Sequence, residues 1–188
     1  ILVSERPWLG GMLTSAGVSA PDGNELAAWQ TGLWGEFLRT LKVQQPGGLD
    51  HSWVSLFTFD PRLGAKIFAD WVTELPDLTW IANQCPMEVV KNGDRLVGVR
   101  FPDYEIRARV ILDGTELGDL LALGDIDHRW GWDWQDKFHE PSCPVAPNRM
   151  TEEYPIQSPT WVFLLRKTTN NQTNIIAEPA INVAQDFT

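Results

Sequence analysis

Ile1-Leu2-Val3-Ser4-Glu5 is a short apolar run closed by an acid, and it is apolar enough for a parallel strand buried in a sheet. The next seventy residues decide how that strand is covered. Residues 7–21 are rich in Pro, Gly, Ser and Thr and are expected to form a loop. Asp22 then offers an N-cap, and Glu25, three residues on, completes a capping-box pattern. Leu26, Trp29, Leu33, Trp34, Phe37, Leu38 and Leu41 recur at helical spacing, so this helix should pack one face on a core. Gly47-Gly48 falls in the next loop. A second helix is expected from Asp60 as cap and Pro61 in the first turn, where its missing N–H costs nothing. Leu63, Ile67, Phe68, Trp71, Val72 and Leu75 form its stripe, and Pro76 stops it.

Leu78 to Ala82 is then a short strand, and a β-meander comes after it. Met87 to Val90 leads into an Asn92-Gly93 turn, Leu96 to Phe101 returns, Pro102-Asp103 turns the chain again, and Tyr104 to Arg107 is the third strand. Val110-Ile111-Leu112 is continuously apolar, as expected of a strand buried on both faces. It ends in Asp113-Gly114-Thr115-Glu116, and Leu117 to Leu123 opens a helix. Residues 125–160 carry few aliphatics and are expected to be mostly loop, with a strand near Thr160 to Leu165. The order predicts an α/β fold: a parallel sheet with helices, and an antiparallel three-stranded meander as a crossover.

Composition narrows the function. The chain has 188 residues, 43% of them hydrophobic and 21% charged, which suits a folded domain rather than a disordered segment. With 25 acids against 15 bases the net charge is −10, a poor match to nucleic acid or to an anionic membrane surface. No apolar run approaches the length of a membrane span, and no signal-peptide core is present. Cys85 and Cys143 match no close-spaced metal pattern and leave both free thiols and one bridge open. Asn171-Gln172-Thr173 is a glycosylation sequon, meaningful only in a secretory pathway. The opening on Ile in mid-strand suggests a segment of a longer protein, and no compartment can be assigned.

Two features could carry chemistry near the start. In a dinucleotide-binding unit the second strand ends in an acid that accepts hydrogen bonds from ribose hydroxyls, and Glu5 stands in such a place. The glycine fingerprint that should precede it by about 20 residues is not in this sequence. Alone, Glu5 is a solvated strand-end acid. Gly10-Gly11-Met12-Leu13-Thr14-Ser15 adds paired glycines, which either make a plain turn or let backbone approach a ligand closely.

Taken together, Glu5-Arg6-Pro7-Trp8-Leu9-Gly10-Gly11-Met12-Leu13-Thr14 resembles the segment after the second strand in FAD-dependent oxidoreductases with a glutathione-reductase-like flavin domain. It is most similar to a bacterial family of such oxidoreductases. Phe59-Asp60-Pro61-Arg62 resembles that family's helix-opening segment, and Val110-Ile111-Leu112-Asp113-Gly114-Thr115-Glu116-Leu117-Gly118-Asp119 its strand-end motif, with Gly114 where the family usually has Ala. The resemblance implies a partial Rossmann-like FAD-binding domain over 1–124 and the start of a substrate-covering region over 125–188. It implies an oxidoreductase that moves hydride or electrons between a small organic substrate and bound FAD, the segment alone being inactive. Glu5 would bind the adenosine ribose and Arg6 would sit beside the adenine. Gly10, Gly11, Met12, Leu13 and Thr14 would run past the ribityl chain. Met87 would lie where backbone meets adenine, and Thr115 and Glu116 would return to the cofactor crevice. Asp119 serves equally well as a helix-start acid. No catalytic side chain is marked.

The remaining features point elsewhere. Trp130, Trp132 and Trp134 would share one face if extended, where they could stack on a sugar with Arg129 adding a cation–π contact, although their large hydrophobic area favours inward packing. They support the rival reading, a non-catalytic ligand- or carbohydrate-binding module. Asp125, Asp127, His128, His139, Glu140 and Cys143 hold metal-ligand types at spacings that match no metal signature, so no metal is expected. His51 and Ser52 have no nucleophile elbow around them. A third reading is a structural segment whose open sheet edge invites self-association.

Overall fold

The main core is built by two helices of 13 residues each, α1 (Gly32–Gln44) and α2 (Pro61–Thr73). The computed structural model describes residues 1–22, 27–52, 55–158 and 162. Asp60 caps α2 as its sequence suggests: its carboxylate accepts from the Arg62 backbone N–H at 2.9 Å, and Pro61 takes the first turn. The Arg62 side chain folds back onto the same carboxylate and, against a smaller opposing effect of burial, holds it below its ordinary pKa. Ile67 is buried, as are Gly64 and Ala65, while Leu63, Phe68 and Trp71 pack partly against the core and Leu75 lies past the helix end, exposed.

Phe37 of α1 sits at the centre. It stacks on Phe68 at 4.7 Å between ring centroids and meets Phe59 edge-on at 5.3 Å. Leu38, Leu41, Leu49, Phe57 and Ile67 complete this cluster. The connection between the helices is tied by one side chain. Gln45 donates to the carbonyls of Gly48 and Thr58, and accepts from the backbone N–H of Asp60 at 3.0 Å. The end of α1 is thereby fixed to the start of α2.

The first helix begins later than its sequence pattern suggests. Asp22 is not its cap. Ala27–Trp29 is a separate 3-10 turn, Thr31 is the N-cap of α1, and Trp29 and Leu33 are exposed. Glu25 and Leu26 lie outside the described residues. The reason is Gly32, whose φ of +58° cannot continue an α-helix and resets the chain direction.

Two small sheets complete the architecture. β1 (Leu2–Ser4) pairs in parallel with β2 (Trp80–Ala82), Val3 opposite Ile81. β3 (Glu88–Asn92), β4 (Arg95–Arg100) and β5 (Glu105–Arg107) form the antiparallel meander in that order. The first hairpin turns at Gly93-Asp94, one residue later than expected, because Asn92 pairs with Arg95 at the strand end, and a register shift after Val90 leaves Val97 as the extra residue on β4. Arg100 on β4 pairs with Glu88 and Glu105 across the sheet. Val89 and Val99 are buried beneath α3 (Asp119–Leu123) through Leu120, with Leu96, Phe101 and Ile111 packed around them.

Val110-Ile111-Leu112 is not a strand buried on both faces. It joins neither sheet among the described residues; Val110 is 75% exposed and Leu112 89%, and only Ile111 turns inward, onto the meander. A continuously apolar triplet can alternate like any extended segment, and here one side alone meets a partner. Farther on, α4 (Gln135–Phe138) and α5 (Arg149–Glu153) are two short helices in the stretch expected to be loop, α5 opened by an Asn148 and Thr151 capping box. The strand expected near Thr160 to Leu165 and the sequon fall outside the described residues, apart from Val162, which is not in a strand.

Replacing Asp60 by Ala is expected to lower stability by about 1 kcal/mol at neutral pH. Because folding depresses the Asp60 pKa, its contribution is complete above the unfolded carboxylate range and is lost as the pH falls through the lowered folded value. Thermal melts of the protein and of Asp60→Ala should therefore differ at pH 7 and converge in acid.

Candidate functional site

The carboxyl end of β1 is anchored from two sides. The Ser4 carbonyl accepts from the backbone N–H of Gln84, just past β2. The Ser4 hydroxyl donates to the Arg6 carbonyl at 2.8 Å and accepts from the Trp80 indole N–H at 2.9 Å. Glu5 is thereby presented at the strand end, solvent-exposed, with the Arg6 guanidinium 3.2 Å from its carboxylate. Gln84 also donates to Asp103 of the meander at 2.7 Å, so the connector that leads to Met87 leaves directly from this strand end. Met87 is 61% exposed, and its backbone N–H is engaged by the Arg100 carbonyl.

The loop after Glu5 turns at the two glycines. Gly10 has φ +109° and Gly11 φ +49°, and Gly11–Leu13 makes a 3-10 turn. The two glycines are required for different reasons. A Cβ on Gly10 would stand 2.6 Å from the Phe68 ring, so Gly10 lets the loop lie against α2. Gly11 takes a left-handed φ, and a Cβ on it would stand 2.6 Å from Glu116 Oε1, the flexible end of that side chain. Thr14 is buried in the core with its hydroxyl donated to the Leu9 carbonyl at 2.6 Å, and Leu13 packs on the same core. Only Met12, 60% exposed, points its side chain outward from this turn.

The opposite wall is the segment 113–119. Asp113 Oδ1 accepts from the Thr115 N–H at 2.9 Å and from the Thr115 hydroxyl at 2.7 Å, and Oδ2 accepts from the Leu120 N–H at 3.1 Å. The Thr115 oxygen in turn accepts from the Asp119 N–H at 2.7 Å. Asp119 is the first residue of α3, the helix-start reading of its sequence. Glu116 is exposed and makes no hydrogen bond among the described residues; its carboxylate stands over Gly11. A Cβ at Gly114 would meet nothing within 4 Å, so Ala fits there as well as Gly. Of the residues singled out from sequence, the structure thus brings Gly11 together with Glu116, and sets Glu5 and Arg6 at the start of the same loop. Asp113 was not among them, although Asp followed two residues on by Thr is the pattern of a side-chain-stabilised turn.

The exposed carboxylates of Glu5 and Glu116 are acceptors of the kind that hydroxyl groups of a sugar can donate to. A family model described as FAD dependent oxidoreductase matches residues 1–187. The chain belongs to that family. Its cofactor is FAD, and the parallel pair with helices and a meander agrees with a Rossmann-like α/β fold. No curated protein and no solved structure matches the chain.

The other candidates do not form a site in this flavoprotein. Gly131, with φ +73°, breaks the Trp segment, so the indoles do not share one extended face. Trp132 donates to the Tyr154 carbonyl at 2.7 Å, Trp134 is the N-cap of α4, and Trp130 is exposed beside His128. The Arg129 guanidinium lies 3.9 Å over the Phe138 ring, not over a Trp, and pairs with Asp133. Among the described residues no three potential ligands converge on a metal position. Cys85 and Cys143 are free thiols, and burial, aided by Glu140, pushes the Cys143 thiol up. No helix among the described residues is long and apolar enough to cross a membrane.

Gly11→Ala is expected to cost about 1 kcal/mol from its left-handed backbone, because the flexible end of Glu116 can move aside. Gly10→Ala should cost more, since the Phe68 ring it meets is wedged against Phe37. Urea melts that ranked the two in the opposite order would contradict this division of roles.

Proposed function

We propose that FAD lies along the carboxyl end of β1 and the loop after it. The observation that carries this reading is the meeting of Gly11 and Glu116, two residues 105 positions apart in sequence, in the loop that begins at the strand-end acid Glu5. Bound FAD supplies the redox centre, exchanging hydride or electrons with a small organic substrate. The chain's own residues bind and orient it. The Glu5 carboxylate accepts from the adenosine ribose hydroxyls, and Arg6 sits beside the adenine. The backbone of Gly10, Gly11, Met12, Leu13 and Thr14 passes the ribityl chain, the side chains of Leu13 and Thr14 serving the core beneath. Met87 presents backbone near the adenine, and Thr115 and Glu116 close the crevice from the meander side.

In this reading residues 1–124 are the flavin-binding part and 125–188 the beginning of a region that covers the substrate and keeps water out. The Trp-rich segment belongs to that cover. The two-stranded sheet leaves β1 and β2 each with an open edge among the described residues, which supports association of the 188-residue chain with a second copy; sedimentation would reveal a dimer or larger species, and a monomer at all concentrations would remove this part.

The test is flavin binding by the full-length protein. It should purify yellow, and Glu5→Ala should weaken FAD binding about 10- to 100-fold, the loss of hydrogen bonds to a charged acceptor. A colourless protein that takes up no added FAD, or unchanged affinity in Glu5→Ala, would count against the placement proposed here.

A further inference from the structure

Resting on that placement of the cofactor, we infer that Asp113 is a positioning residue for FAD binding: its carboxylate holds the Thr115-Glu116 turn in the shape that brings Glu116 over Gly11. One carboxylate accepts three hydrogen bonds, two from Thr115 and one from the Leu120 N–H, and so closes a loop of eight residues whose middle carries Glu116. Leu120 is an anchored end, 7% exposed and packed on Val89 and Val99 of the meander. Thr115 extends the lock by accepting from the Asp119 N–H. Gly114 and Gly118 flank Glu116 and make the segment intrinsically loose, Gly118 at φ +71°. Glu116 itself makes no hydrogen bond among the described residues, so nothing on its own side chain fixes its direction. Its place over Gly11 is inherited from the loop, and the loop is held by Asp113.

Because Asp113 is exposed, water can replace part of what its carboxylate does for folding. Water cannot replace the backbone path that carries Glu116 to Gly11. The substitutions should therefore change cofactor binding more than they change folding.

The experiment titrates FAD into the full-length protein and into Asp113→Ala, Asp113→Asn, Glu116→Gln and the double variant Asp113→Ala/Glu116→Gln, following flavin fluorescence and the visible circular dichroism of the bound flavin. Asp113→Ala is expected to bind about tenfold more weakly with an altered dichroism band, and Asp113→Asn, which keeps one acceptor oxygen, should recover part of both. In the Glu116→Gln background the Asp113→Ala loss should largely vanish, because residues acting through one another are not additive. Wild-type affinity and dichroism in Asp113→Ala, or losses that multiply in the double variant, would overturn the inference while leaving FAD binding intact. A wild-type protein that takes up no FAD would instead remove the underlying reading and this inference with it. Should Asp113→Ala fail to fold, Thr115→Val removes the hydroxyl link alone. It is expected to shift the dichroism band in the same way and to be non-additive with Glu116→Gln, and multiplying losses there would equally overturn the inference.

Discussion

The carboxylate of Glu116 occupies the space that any side chain on Gly11 would fill. That close approach brings the loop after β1 against the strand-end motif. On one side lies the loop from β1, held down on α2 by Gly10 against Phe68 and by the Thr14 hydroxyl on Leu9. On the other lies the strand-end motif, carried by the meander through Leu120 and Ile111. Each side is packed on its own apolar cluster. A backbone that lacks Cβ at that point permits the approach.

The larger cluster explains why the loop can be so rich in glycine and still be ordered. Phe37, Leu38, Leu41 and Ile67 are almost completely withdrawn from water, and each such side chain contributes roughly 1.5–3 kcal/mol of burial. Gly64 brings α2 close enough that a Cβ there would stand 2.8 Å from Phe59 and 3.3 Å from the Thr14 methyl. The loop is therefore packed from beneath by rings, and its polar backbone is what remains on the outer side. Charge obeys the same division: the ion pairs Glu5–Arg6, Asp60–Arg62 and Arg100 with Glu88 and Glu105 are all at the surface, where each adds little to stability and much to orientation.

Much of the fold was legible because its signals are local. Asp60-Pro61 begins α2 by a capping mechanism confined to adjacent residues, and the stripe from Leu63 to Trp71 repeats at the helical period. The meander is written in alternation and turn residues. The departures have local causes of a kind that periodicity does not register. Gly32 delays α1 by taking a left-handed φ, and Asn92 stays in the strand opposite Arg95, so the turn falls at Gly93-Asp94. Gly131 likewise breaks the Trp face.

By itself the sequence determined the α/β class, the second helix and its cap, the order of strands, and the family through motifs at the start of the chain and after the meander. Those are properties of neighbouring residues and of short repeating patterns. Only the tertiary structure decided that Val110 and Leu112 face outward while Ile111 packs, and that Thr14 turns into the core rather than the crevice. It alone brought Glu116 to Gly11 and gave Asp113 three donors. Which face of a segment meets a partner depends on what the rest of the chain places opposite it, and no spacing within the segment carries that information.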